Sequence, residues 1–166
     1  MTSTNFIGRP GDFEFLVGGW RMDNRRLKRR HVGSDDWDEF SATSKGWSML
    51  NGIVSVDENL FATRGFSGLT FRTLDLAREQ WSIYWVNSAS GNLFPPVHGG
   101  FDGDRGEFYG EDTDDGAIVQ VRFIWTRKGR DAARWEQAFS KDPNARAAGD
   151  WETNWTMDLS RTEEST

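Results

Sequence analysis

The chain has 166 residues, no cysteine and a formal net charge of −6. The missing cysteine excludes disulfides, thiolate catalysis and cysteine metal sites, and the acidic balance argues against general nucleic-acid binding. Hydrophobic residues are only 36%, yet nine Trp and twelve Phe supply enough buried area for one folded domain with a sizeable core.

An N-terminal arm over residues 1–11 leads into PGDFEFLVGGW. Pro10 and Asp12 followed by Phe13, Phe15, Leu16 and Val17 predict a short helical turn, stopped by Gly18 and Gly19. WRMDNRRLKRRH is a first strand with Trp20, Met22 and Asn24 on one face. DWDEFSATSKGWSML is a second, reached through a turn at Gly33 and Ser34. NGIVSVDENLF opens with the turn pair Asn51-Gly52 and gives a third, on which Val54, Val56 and Glu58 share a face. SGLTFRTLD gives a fourth, with Leu69, Phe71 and Thr73 alternating against Thr70 and Arg72.

EQWSIYWVNSASG places Trp81 and Trp85 on one face of either a helix or a strand. The β-branched and aromatic run Ile83–Val86, ended by small polar turn residues, decides for a strand. Trp81, Ile83, Trp85 and Asn87 lie on one face; Ser82, Tyr84 and Val86 lie on the other. A long loop with Pro95-Pro96 follows, then the strand EFYGED and the turn TDDG. AIVQVRFIWTR alternates Val119, Val121, Phe123 and Trp125 against Gln120 and Arg122. ARWEQAFS groups Trp135, Gln137 and Phe139, and WETNWTMDLSR groups Trp151, Thr153, Trp155, Met157 and Leu159. The tail TEEST is expected to fray.

About nine or ten strands in consecutive hairpins, with almost no helix beyond the N-terminal turn, predict an all-β, up-and-down antiparallel barrel over residues 12–161. Strands that alternate this well bury one face. Trp81 and Trp85 then point inward, with Asn87 near the rim. No apolar run is long enough to span a membrane. The first residues lack the basic region and apolar core of a secretory signal, which points to the cytoplasm.

The start FEFLVGGW, the segment GLTFR, WSIYW, PPV before a Gly-rich turn, WEQAFS and WETNW together resemble a family of uncharacterised bacterial lipocalin-like (calycin) barrels, distantly similar to the nitrobindins. The resemblance covers roughly residues 12–161 and implies the fold more than any activity. It also implies that Trp20 packs under a basic residue of the last strand, Arg161, closing one barrel end. Nitrobindins hold haem through a His near the C-terminus; this chain has none after His98, so haem is not carried over.

Other chemistries find little support. His31 and His98 are far apart in sequence, and EDTDDG fails the spacing of a calcium loop and reads as a hairpin turn. There is no Walker motif, no strand–GxGxxG–helix and no Gly-x-Ser-x-Gly. The basic run Arg25–Arg30 faces Asp36, Asp38 and Glu39 across a hairpin and reads as a self-neutralised ribbon, each pair contributing roughly 0.2–1 kcal/mol. Glu58 and Asp112, each sharing a face with apolar residues, are candidate inward carboxylates. Arg122, Glu136 and Asn154 read as an external polar ladder.

These observations favour a protein that binds a small hydrophobic or aromatic molecule inside the barrel. The expected wall is Trp85, Trp125 and Trp155 with Phe123 beneath; Asn24, Glu58, Asn87 and Gln137 are inward polar candidates, and Tyr84 and His98 are rim candidates. No cofactor, metal, nucleic acid or membrane partner is expected. One alternative is a barrel enzyme of isomerase, cyclase or decarboxylase type, using an inward carboxylate. The other is a structural or interaction module whose tryptophans fill the interior. A homodimer is compatible with each.

Overall fold

The computed structural model describes residues 5–162. Ten strands follow one another: β1 (Gly18–Leu27), β2 (Trp37–Met49), β3 (Val54–Phe61), β4 (Phe66–Asp75), β5 (Gln80–Asn87), β6 (Val97–Asp102), β7 (Arg105–Asp114), β8 (Ala117–Arg127), β9 (Ala132–Ser140) and β10 (Glu152–Arg161). Each pairs antiparallel with the next, and β1 closes on β10. The fold is thus the expected up-and-down barrel, with the sheet closed on itself. Among the described residues, helix is limited to 3-10 turns at Glu14–Leu16, Leu50–Gly52 and Ala62–Arg64 and the short α1 (Ala145–Ala148). None is long and apolar enough to cross a membrane. EDTDDG is the β7–β8 hairpin, with Asp115 and Gly116 both at positive φ (50° and 79°), as a tight two-residue turn requires.

The N-terminal 3-10 turn plugs one end. Phe13 is buried there, its ring 4.9 Å from Trp81 and 5.2 Å from Phe101 by centroid, both edge-on. Trp81 Nε1 donates to Asp12 Oδ2 at 2.9 Å, which ties the turn to β5. Trp20 and Arg161 are cross-strand partners, and the guanidinium sits 4.2 Å from the indole centroid. Arg161 also donates to the carbonyls of Val17 (2.7 Å) and Phe15 (3.0 Å), latching the plug to the last strand. The arm before it is not free, since Ile7 bridges Phe101. The fraying expected of the C-terminal tail falls on residues 163–166, outside the described residues.

Alternation sets the faces. Trp20, Met22 and Asn24 of β1 point inward, as do Trp81, Ile83 and Trp85 of β5. Two faces differ from expectation. On β3 the inward residues are Ser55, Asp57, Asn59 and Phe61, while Glu58 is exposed. On β10 the register shifts between Thr153 and Trp155. A β-bulge at Asn154 inserts one residue and inverts the alternation before it. Trp155 therefore stays inward but Trp151 lies outside, against Tyr109 and under Arg122. Asn154 turns inward and is 2% exposed, which removes it from the expected outer ladder.

The basic ribbon is partly as expected: Arg25 pairs with Glu39 (3.3 Å) and Lys28 with Asp36 (3.4 Å). Asp38 is taken by Arg64 of the β3–β4 turn instead. On the outer surface Trp47, Val56, Phe71 and Tyr84 stand in register across β2–β5, a row of apolar cross-strand contacts.

Candidate functional site

The plug fills only the lower barrel. Above it lies a cavity of about 390 Å³, reached from the end that carries the β5–β6 and β7–β8 connections. Its aromatic wall comes from four strands: Trp85 of β5, Phe123 and Trp125 of β8, Trp135 and Phe139 of β9, and Trp155 of β10. The rings brace one another edge-on, Phe123 against Trp135 at 5.1 Å and Trp135 against Trp155 at 5.7 Å. Such contacts hold a wall in one shape. The Pro-Pro loop folds over it, because Phe94 N donates to Trp85 O (2.9 Å) and Phe94 and Pro95 join the lining.

A polar cluster forms the floor. Arg72 Nη2 lies 2.7 Å from Asp57 Oδ2, Asn59 Nδ2 donates to Asp57 Oδ1 at 2.8 Å, and Arg72 Nη1 donates to Ser55 Oγ at 3.1 Å. Arg72 is 2% exposed and stacks 4.7 Å above the Phe13 ring, so the plug and the floor support each other. Burying two charges is tolerated because each is the other's partner and Ser55 and Asn59 add hydrogen bonds, although Arg72 Nε has no partner among the described residues.

At the mouth, Arg30 grips Asp114 through both carboxylate oxygens (2.8 and 2.7 Å), and His31 Nε2 lies 2.9 Å from Asp114 Oδ2. Hydrogen bonding by Arg30 holds the Asp114 carboxyl below its ordinary value, and Asp114 in turn raises Arg30. Arg30 and His31 both lie against Phe139.

Of the residues expected here, Trp85, Phe123, Trp125, Trp155, Asn87 and Gln137 line the cavity. Asn24 is inward but stands behind the wall, its Oδ1 accepting from Trp155 Nε1 at 2.9 Å. Asp112 also lines the cavity. The other three candidates lie outside its lining. Glu58 faces outward because β3 turns Ser55, Asp57 and Asn59 into the barrel, leaving Glu58 on the opposite face with Val56. Tyr84 packs against Phe71 on the outer surface. His98 shares a hydrogen bond with Ser82 Oγ (2.8 Å) on the outward face of β5 and β6, since β6 begins with Val97 pointing in.

The charged lining went unread: Arg26, Arg30, Arg72, Asp57 and Asp114. A signal existed for one of them. The inward series Trp20, Met22, Asn24 continues to Arg26 two residues on. For Arg72 and Asp57 polarity argued the wrong way, because neither suits a barrel interior alone.

No protein-family model matches the chain, and no curated protein matches it.

Proposed function

We propose that the protein binds a small aromatic or apolar molecule in the upper barrel, in the manner of the lipocalin-like proteins its sequence resembles. The observation that carries this reading is the cavity of about 390 Å³ walled by Trp85, Phe123, Trp125, Trp135 and Trp155. That volume falls within the roughly 300–1,000 Å³ common for small-molecule sites, and an apolar wall with a few fixed polar groups is their usual composition. A barrel filled by its own tryptophans would have no such space.

The enzyme alternative asks for a buried acid beside the cavity, and Asp57 is one. Both its oxygens are committed, to Arg72 and to Asn59, which suits it to holding the floor rather than to moving a proton. Asp114 is likewise engaged by Arg30 and His31, and Asp112, the lining acid with no basic partner among the described residues, is only half-buried and accepts from Thr113 N. Binding is therefore the better-supported reading, with the cytoplasm as its expected setting.

The test is a tryptophan-fluorescence titration with a panel of fused-ring aromatic compounds. Saturable quenching in the wild-type protein that disappears in Trp85→Ala supports the reading. An absence of saturable quenching across the panel rejects it.

A further inference from the structure

Three arginines line the cavity, and two are spoken for: Arg72 by Asp57, Arg30 by Asp114. Arg26 is not. Among the described residues its guanidinium has no ion pair and no side-chain hydrogen bond. Its cross-strand neighbour on β2 is Asp38, the natural partner, but Arg64 holds both oxygens of that carboxylate. Arg26 instead stands among three rings, 5.0 Å from Trp155, 5.3 Å from Phe40 and 5.5 Å from Phe66. Aromatic faces stabilise a cation without satisfying its N–H donors. Burial lowers the pKa of Arg26 against the pull of Asp38, and Arg64 and Arg30 lower it further.

A second donor adjoins the cross-strand partner of Arg26. Arg26 pairs across strands with Trp155, and Asn154 is the bulged residue just before it. Asn154 is 2% exposed and lines the cavity. Gln137 Nε2 donates to its Oδ1 at 2.8 Å, which fixes the amide, and its Nδ2 has no acceptor among the described residues. A buried donor without an acceptor costs free energy, which a ligand oxygen reaching it would recover. The lining carboxylate without a basic partner among the described residues is Asp112 of β7, and it would repel an acid group set against it rather than against Arg26.

We propose that the ligand is an aromatic acid whose oxyanion is received by Arg26 and the Asn154 amide, while its ring system lies against Trp85, Trp155 and Phe123. This rests on the binding function proposed above and names its ligand class. A guanidinium is suited to the role because its planar fork matches a carboxylate.

Isothermal titration with a matched pair, 2-naphthoate and its neutral isostere 2-naphthamide, tests it. The expected result is wild-type binding of the acid about tenfold more tightly than the amide, as one charge-assisted contact supplies. Arg26→Gln should erase that preference and leave amide affinity within about twofold; Arg26→Lys, which keeps the charge but not the fork, should restore part of it. Thermal melts confirm that each variant is folded. Equal wild-type affinity for acid and amide would overturn the oxyanion site while leaving the binding function intact. So would an Arg26→Gln protein that keeps the preference or loses both compounds alike. Failure of the wild-type protein to bind either compound at millimolar concentration would overturn the aromatic-acid site, and the broader binding function then rests on the fluorescence panel alone.

Discussion

Arg72 and Asp57 face each other at 2.7 Å beneath the cavity, with side chains only 2% and 7% exposed. Each exists in the interior because of the other. Asp57→Ala leaves a buried guanidinium without its counter-charge and should cost about 3–5 kcal/mol. Replacing both, as Asp57→Leu with Arg72→Met, removes the need for pairing and should recover most of that loss. Urea denaturation of Asp57→Leu, Arg72→Met and the double variant gives the coupling. A loss below about 1 kcal/mol in Asp57→Ala would mean that water already screens the pair, contrary to its burial.

Arg161 acts as both a lid and a latch. It covers Trp20 and donates to the carbonyls of Val17, Phe15 and Arg130 from one planar group. A lysine ammonium cannot meet three carbonyls and a ring face together. Arg161→Lys should therefore destabilise the barrel by about 1–3 kcal/mol, although charge is conserved. A thermal melt of the lysine variant indistinguishable from wild type would show that charge alone closes this end.

Gly68 makes room for the cavity wall. It is buried on β4, and a Cβ there would overlap the six-membered ring of Trp85 on the neighbouring strand. The outer part of the ring, Cζ2, Cη2 and Cζ3, thus lies against bare backbone, a cross-strand cover for a glycine. Gly68→Ala should force Trp85 into the cavity, costing about 1–3 kcal/mol through overpacking. Quenching by aromatic ligands should weaken with it. Adding Trp85→Leu should relieve the strain, so the double variant melts above Gly68→Ala alone. A double variant that melts lower would place the strain elsewhere.

The barrel was legible because its signals are local. Hairpin turns such as Asp115-Gly116 and the clean alternation of Val119, Val121, Phe123 and Trp125 need no knowledge of distant residues. The tryptophan wall followed from the same alternation. Polarity misled on β3, where Asp57 points in and Val56 out. That choice makes sense only with Arg72 in view, and Arg72 sits on another strand whose pairing a single segment does not state. The bulge at Asn154 was hidden for a similar reason. An extra residue has no composition of its own, and it became visible only as a break in the pairing of β10 with β9. The site's chemistry lay mostly in these non-local features, the fold mostly in the local ones.

The clamp at the mouth makes stability depend on pH in a defined direction. Asp114 is held below its ordinary value, first by hydrogen bonding from Arg30 and then by His31 and the charges of both. A carboxyl depressed in the folded state stabilises that state fully above the unfolded value, about 3.9. The contribution is then lost as pH falls through the lower folded value. Asp114→Asn removes it at every pH. The wild-type protein should therefore exceed the variant by about 1 kcal/mol from pH 7 down to about pH 4, a modest figure because Arg30 stays partly exposed to water. Below that the two should converge. Chemical denaturation of both proteins at intervals between pH 7 and pH 2 checks this. A gap that persists unchanged to pH 2 would show that the clamp does not depend on the ionised Asp114 carboxylate.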